Sequence, residues 1–324
     1  MVLLIKARSF RKSFPAGSCL AIGNFDGVHS AHRVILEAAS KEARVLGLVS
    51  AGLTFNPHPQ SVLFPGKSLH FLSDPNEKAQ LMDRCGMGCL IEEPFTEALL
   101  KQSAEEFFQQ YVVDWLGAKS LHVGFHFRFG KNRAGTVNLL EDLCRKASLQ
   151  LHVHPEKKCA GGTVSSSAIR KALTEGNLDL ANEMLGRFYG VTGVLVRGHG
   201  RGKEMRVPTL NLAVRPDKAL PLYGVYATKT TLMGQTYFSI SNVGVRPTFS
   251  TLLCEAPPAP VVESHLFYQT EQPPVLTEPP LEGESVTVSF YTFLRPEKRF
   301  PSREALQAQI EQDKTKALQY WKCI

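Results

Sequence analysis

No run of apolar residues in the chain approaches the roughly 18 that a membrane-spanning helix requires, so no membrane partner is expected. The opening Met1-Val2-Leu3-Leu4-Ile5 is apolar but too short for the core of a signal peptide. Lys6, Arg8, Arg11 and Lys12 follow closely, and the stretch reads as a first strand. No tract concentrates lysine and arginine, so the net charge of +7 suits small anionic partners without supplying a nucleic-acid arm. Cys85-Gly86-Met87-Gly88-Cys89 lacks the second cysteine pair that a structural zinc site would need. The seven cysteines, an odd number spread along the chain, point to free thiols and a reducing cytoplasm. No internal repeat is present.

What is present is enough chain for two domains: 324 residues, 43% hydrophobic and 21% charged. Up to about residue 185, strand-like and helix-like runs alternate, which predicts an α/β domain with a mostly parallel sheet. Its expected strands are Leu48–Phe55, Cys89–Ile91, Ser120–Phe125 and Leu149–His154. Its expected helices are Ala31–Leu46, Ala104–Trp115, Val137–Lys146 and Ala168–Glu175. From Tyr189 onward, β-branched and aromatic runs separated by Gly and Pro predict an antiparallel barrel or sandwich, with strands Tyr189–Arg197, Gly224–Thr231, Gln235–Ser241 and Ser285–Phe293. A helix over Arg303–Lys322 places Leu306, Ile310, Ala317 and Trp321 on one face. Asp313 shares that face and needs a cationic or hydrogen-bonding partner. The Pro-rich stretch Ala256–Pro280 reads as an irregular loop holding one short strand near Val261–Phe267. The expected domains are residues 1–185 and 186–324.

The densest chemistry lies in Gly23-Asn24-Phe25-Asp26-Gly27-Val28-His29-Ser30-Ala31-His32, between an apolar strand, Cys19–Ile22, and an amphipathic helix. Histidines at i and i+3 share a helix face, so His29 and His32 can address one ligand before the helix N-terminus. Taken alone, such a pair is a solvated helix start or half of a metal site. With no third ligand at zinc-like spacing, and with Gly23 and Gly27 allowing close backbone approach, an anion at the helix dipole is the better reading.

Further along, Thr54-Phe55-Asn56-Pro57-His58-Pro59 holds Asn56 and His58 at the end of a strand. Gly124-Phe125-His126-Phe127-Arg128-Phe129-Gly130 offers phenylalanines such as Phe127 that can cover a planar ring or simply join a core. Ser165 and Ser166 open a helix with hydroxyl and backbone donors, and Arg170 adds a cation one turn on, which suits a second phosphate contact or plain capping. In the second half, Gly198, Gly202 and Lys203 belong to a glycine-rich basic loop able to wrap a triphosphate, although Lys203 lacks the Ser or Thr of a Walker motif. Thr209 and Asn211, two apart on an extended strand, can both present oxygen to Mg²⁺.

The decapeptide resembles the flavin-specific nucleotidylyltransferase signature G-N-F-D-G-V-H-x-G-H, with Ala31 in place of Gly. The later segments follow the order found in bacterial bifunctional riboflavin kinase and FAD synthetase enzymes, over nearly the whole chain. Thr54–Pro59 resembles T-F-x-P-H-P. Val164–Arg170 resembles I-S-S-T-x-I-R with Ser167 for Thr, and His126 stands where that family usually has Asp or Asn. The second half is similar to the kinase signature G-x-x-x-G-x-P-T-x-N, with Arg206 for a usual Gly, and Tyr268 and Gln269 replacing the Asp and Phe after Glu263.

The resemblance implies a Rossmann-like domain followed by a β-barrel kinase domain. It implies phosphorylation of riboflavin to FMN, then adenylylation of FMN to FAD with release of pyrophosphate, using ATP and Mg²⁺. His29, His32 and Arg170 would act on the triphosphate, and Glu263 would be the kinase base. Gly23, Asn24, Phe25, Asn56, His58, Phe127, Ser165, Ser166, Gly198, Gly202 and Lys203 would bind nucleotide or flavin, while Thr209 and Asn211 would hold the metal. The alternatives are a chain active only as the adenylyltransferase, and a non-catalytic flavin or nucleotide sensor. The intact His29/His32 and Thr209/Asn211 pairs, with Glu263, argue against the sensor.

Overall fold

A computed structural model of the chain describes residues 2–6, 14–66, 68–196, 209–245, 260–267 and 282–322. The chain divides into two compact units, Met1–Ser166 and Ser167–Ile324.

In the first unit β1 (Leu3–Lys6) and β2 (Ser18–Ile22) precede α1 (Ser30–Leu46) and β3 (Val49–Phe55). α2 (Pro59–Leu63), α3 (Pro75–Arg84), β4 (Cys89–Glu93), α4 (Glu97–Lys101) and α5 (Ala104–Phe107) follow. Next come β5 (Ala118–Gly124), α6 (Val137–Lys146), β6 (Gln150–His154) and the hairpin β7 (Lys158–Cys159) and β8 (Gly162–Thr163). α7 (Ser166–Thr174) starts at the unit's last residue. The six longer strands form a parallel sheet in the order β1-β4-β3-β2-β5-β6. From β2 the chain winds outward through β3 and β4, then returns to β5 on the other side. The C-terminal end of β2 therefore lies at a topological switch point, where open α/β sheets bind ligands.

Both sheet faces are covered. Ala21, Leu36, Ala39, Met82 and Leu90 pack on one face with α1 and α3. Leu20, Leu53, Leu121, Phe107, Phe108 and Leu140 pack on the other. The expected helix over Ala104–Trp115 is continuous, but Phe108–Trp115 is π-helical. Helices α3 and α4 were not expected. Each carries its own start signal: a capping box of Asp74 and Glu77 for α3, and a Thr96 cap for α4.

In the second unit α8 (Leu178–Leu185) leads into β9 (Tyr189–Val196), β10 (Thr209–Ala213), β11 (Gly224–Leu232), β12 (Gln235–Val245), β13 (Pro260–Phe267) and β14 (Ser285–Arg295). These strands close into an antiparallel barrel in the order β10-β13-β12-β11-β14-β9. β13 is thus no isolated strand in a loop; it pairs on both sides. Thr228, Thr230, Ser239, Ser241 and Ser264 form a buried network whose hydroxyls bond one another at 2.7–3.1 Å. The alternate positions Val225, Ala227, Ile240 and Phe267 pack against α9 (Arg303–Lys322) through Ile310 and Ala317. Asp313, fully buried on that helix, accepts from Arg295 Nε at 2.8 Å and from Gln309 Nε2 at 3.0 Å, the partners its position demanded.

Candidate active sites

On the first unit the loop after β2 is held by a web of hydrogen bonds. The buried Asp26 carboxylate accepts from the backbone N–H groups of Leu72 and Ser73 at 3.0 and 3.1 Å. Ser73 Oγ accepts from Gly27 N at 2.9 Å, and Ser166 Oγ donates to the Asp26 carbonyl at 2.9 Å. Phe25 and Val28 adopt left-handed φ values of 48° and 37°, a strained backbone that the surrounding contacts hold in place. Glycine is needed here for packing: a Cβ on Gly27 (φ 77°) would sit 2.8 Å from Leu72 Cβ, and one on Gly23 would sit 3.1 Å from the Phe25 ring. The absence of a side chain at these two glycines thus also meets a steric need of the fold itself.

His29 is the N-cap of α1, and its Nδ1 accepts from His32 N at 3.3 Å. The two rings stack at 3.5 Å between centroids, with Phe25 edge-on to His32 at 5.3 Å. His32 Nδ1 is buried without a hydrogen-bond partner. Burial, then the neighbouring His29 and Lys78, holds the His32 imidazole well below its ordinary range, so it is neutral at pH 7. A neutral ring offers a hydrogen bond rather than a standing positive charge.

Lys78, which the sequence reading passed over, is buried under this loop. Its Nζ donates to Thr54 Oγ1 at 3.4 Å, and that hydroxyl donates to the Asn24 carbonyl at 3.1 Å. Burial lowers the Lys78 ammonium, while Asp26 and Glu92 oppose the shift. The capping box at Asp74 was the available signal that a helix would carry this lysine inward.

On the barrel, Thr209 pairs with His265 and Asn211 with Glu263 across β10 and β13, and Asn242 on β12 pairs with Glu263 from the other side. Strand periodicity puts Thr209, Asn211, Glu263 and His265 on one face. Thr209 Oγ1 and His265 Nδ1 are 2.8 Å apart. Burial lowers His265 to about 4, so the ring that pairs with this hydroxyl is neutral. The Thr209 hydroxyl and the Asn211 side-chain carbonyl are both oxygen donors, the chemistry a hard divalent cation requires, and Glu263 is the register partner of Asn211.

Two family profiles divide the chain in the same way, FAD synthetase over residues 11–168 and riboflavin kinase over residues 185–321. The bifunctional riboflavin kinase/FMN adenylyltransferase of Bacillus subtilis is 32% identical, across 96% of this chain and 94% of its own. The chain belongs to the bifunctional riboflavin kinase/FMN adenylyltransferase family. The Haemophilus influenzae and Escherichia coli members are each 30% identical, across 92% and 94% of this chain and 92% and 93% of their own. A solved Streptococcus pneumoniae structure described as a macrolide-efflux protein superposes with a TM-score of 0.81 at 26% identity, covering 97% of this chain and 98% of that one.

The remaining expected residues of the family motifs fall as follows. Asn56 and His58 follow β3, and His58 caps α2 by accepting from Gln60 N at 3.2 Å. Phe127 is half-buried and stacks on Phe129 at 5.4 Å, against the core on the sheet face away from α1. His126, where the resembling family motif has Asp or Asn, is exposed and hydrogen-bonded to the Glu156 carboxylate, which that bond pulls below its usual range. Ser165 precedes α7; Ser166 opens it, and Arg170 lies one turn further along. Gly198, Gly202 and Lys203, with Arg206, Tyr268 and Gln269, lie outside the described residues. The described cysteines, Cys19, Cys85, Cys89, Cys144 and Cys159, are free thiols. Among the described residues no helix is long and apolar enough to cross a membrane.

Proposed function

We propose that this chain converts riboflavin to FMN and then FMN to FAD, with ATP as co-substrate in both steps, at two separate sites in the cytoplasm. The observation that carries the reading is the presence, on one chain of this family, of a stacked histidine pair at the N-terminus of α1 and a Thr-Asn-Glu-His face on the barrel.

In the adenylyl transfer, a phosphate oxygen of FMN attacks the α-phosphorus of ATP. The bond from that phosphorus to the bridging oxygen breaks, and pyrophosphate leaves. The attacking oxygen is already an anion, so no protein nucleophile is required and the residues act by positioning and charge stabilisation. His29 and His32 orient the triphosphate at the positive end of α1. Asn24 lines the loop after β2, shaped by Gly23 and Phe25. Ser165 and Ser166, with Arg170 on the same helix, suit the departing pyrophosphate. Asn56, His58 and Phe127 are assigned to nucleotide or flavin contact.

In the kinase reaction, Glu263 takes the proton of the riboflavin 5′-hydroxyl as that oxygen attacks the γ-phosphorus of ATP, the bond from that phosphorus to the β,γ-bridging oxygen breaks, and ADP leaves. Thr209 and Asn211 would hold Mg²⁺, which when bound neutralises phosphate charge. His265 fixes the Thr209 hydroxyl through their hydrogen bond, and the loop of Gly198, Gly202 and Lys203 is assigned to the triphosphate. The functional boundary is placed at residues 185/186, ahead of β9.

The test is to incubate the purified full chain with Mg-ATP and either riboflavin or FMN, then separate the products by chromatography. FMN and FAD from riboflavin, and FAD from FMN, are expected. FAD from FMN with no product from riboflavin would leave only the adenylyltransferase half.

A further inference from the structure

The first unit carries a second histidine cluster that neither proposed reaction uses. His122 on β5 and His152 on β6 are register partners, so their side chains share a face of the sheet, and His154 follows on the same face two residues later. Helix α1 packs on that face and brings Glu42 down onto it. Glu42 Oε2 lies 2.7 Å from His122 Nε2 and 3.2 Å from His152 Nε2. The two imidazoles stack at 4.5 Å between centroids. Among the described residues this is the one group of three such side chains with all ligand atoms within 4.8 Å of one another.

Hydrogen bonding alone leaves the cluster incomplete. His152 Nε2 is buried and has no hydrogen-bond partner, because its approach to Glu42 lacks the required alignment. His122 Nδ1 sits 3.2 Å from His154 Nε2. When Nδ1 carries the proton and donates it to His154, Nε2 of His122 presents a lone pair, and this outer hydrogen bond is the arrangement that orients metal-bound histidines.

We propose that Glu42, His122 and His152 bind one Zn²⁺ ion, with His154 as the supporting partner and solvent in the fourth position. Two imidazoles and a carboxylate suit this borderline ion, and bond lengths of about 2.0–2.1 Å in a tetrahedron put ligand atoms roughly 3.3 Å apart. The Glu42 separations of 2.7 and 3.2 Å need a small expansion to reach that spacing, and the stacked His122 and His152 rings, whose ligand atoms lie within 4.8 Å, must turn to aim both lone pairs at the ion. Glu42 and His152 keep 19% and 34% of their side chains exposed, so the ion has a route in from solvent. Glu42 lies 13 residues after the α1 cap at His29, about 20 Å along the helix axis. The ion is therefore remote from the phosphate site. It ties the edge strand β6 to β5 and α1.

The test is equilibrium dialysis of chelator-treated full-length protein against ZnCl₂, with Co²⁺ as a spectroscopic substitute. Wild type is expected to hold one Zn²⁺ per chain and to give the intense visible absorption of four-coordinate Co²⁺. His152→Ala, on a half-exposed edge strand, and Glu42→Gln should each lose at least about tenfold in affinity along with the Co²⁺ bands. Adenylyl transfer by His152→Ala measured without added zinc should match wild type measured the same way, and circular dichroism confirms folding. Absence of bound zinc in wild type, or equal binding by wild type and folded His152→Ala, would overturn the site and leave a hydrogen-bonded cluster only.

Discussion

Glu263 and Asn211 face each other as register partners across β13 and β10, with Asn242 on the opposite flank of the same glutamate. A proposed base and a proposed metal ligand are thereby fixed on adjacent strands, where the ladder rather than a mobile loop sets their spacing. Asn211→Ala should lower kcat/KM for riboflavin phosphorylation by roughly 10²-fold, the scale of losing one aligned polar contact to a transferring phosphate. FMN adenylylation should stay within about twofold of wild type. Parallel steady-state assays of the two reactions check both expectations.

His32 gives the first unit an acid-sensitive element. Its folded-state pKa is depressed by burial and by His29 and Lys78, so below its ordinary value of 6.5 the unfolded chain takes up a proton that the folded chain does not. This contribution leaves stability unchanged above about pH 6.5 and reduces it as pH falls from there toward the folded-state pKa. His32→Asn should flatten, without abolishing, the slope of unfolding midpoint against pH, since His122, His154 and His265 are shifted in the same direction. A series of urea titrations across this range is the measurement.

Lys78 acts as a positioning residue through the chain Lys78 to Thr54 to the Asn24 carbonyl. Lys78→Met should slow adenylyl transfer about tenfold through kcat, on the scale of a misplaced catalytic loop, and leave riboflavin phosphorylation intact. Because Lys78 disfavours the His32 imidazolium, the same variant should raise the His32 titration midpoint in an NMR pH series. An unmoved midpoint would mean that the lysine is purely structural.

Asp313 is fully buried beneath Arg295, so removing the cation alone strands a carboxylate. Arg295→Met should cost the barrel about 3–5 kcal/mol, whereas Arg295→Met combined with Asp313→Leu should recover much of that loss. Denaturant unfolding of wild type, the single variant and the double variant supplies the comparison.

The alternation of runs in the first half, the final helix over Arg303–Lys322 and the need of Asp313 for a partner were legible because each rests on local period or on the cost of burying a charge. β13 was legible as a short strand near Val261–Phe267, but its place between β10 and β12 was not, because it depends on long-range pairing that a Pro-rich neighbourhood hides. Lys78 escaped because a buried lysine and a solvated one look alike in a helical sequence. The Glu42, His122 and His152 cluster draws on α1, β5 and β6, which only the parallel register brings together. Gly27 was legible as a special position, but not that Leu72 fills the space that its missing side chain leaves, a contact between distant parts of the sequence.

The central claim is that one chain runs two reactions at two independent sites, and Glu263→Gln tests it most directly. The variant removes the carboxylate base and keeps the shape of β13. The account predicts that riboflavin phosphorylation falls by at least about 10²-fold, the usual contribution of a general base, while FMN is converted to FAD at the wild-type rate. Equal loss of both activities, or full retention of the kinase, would contradict it.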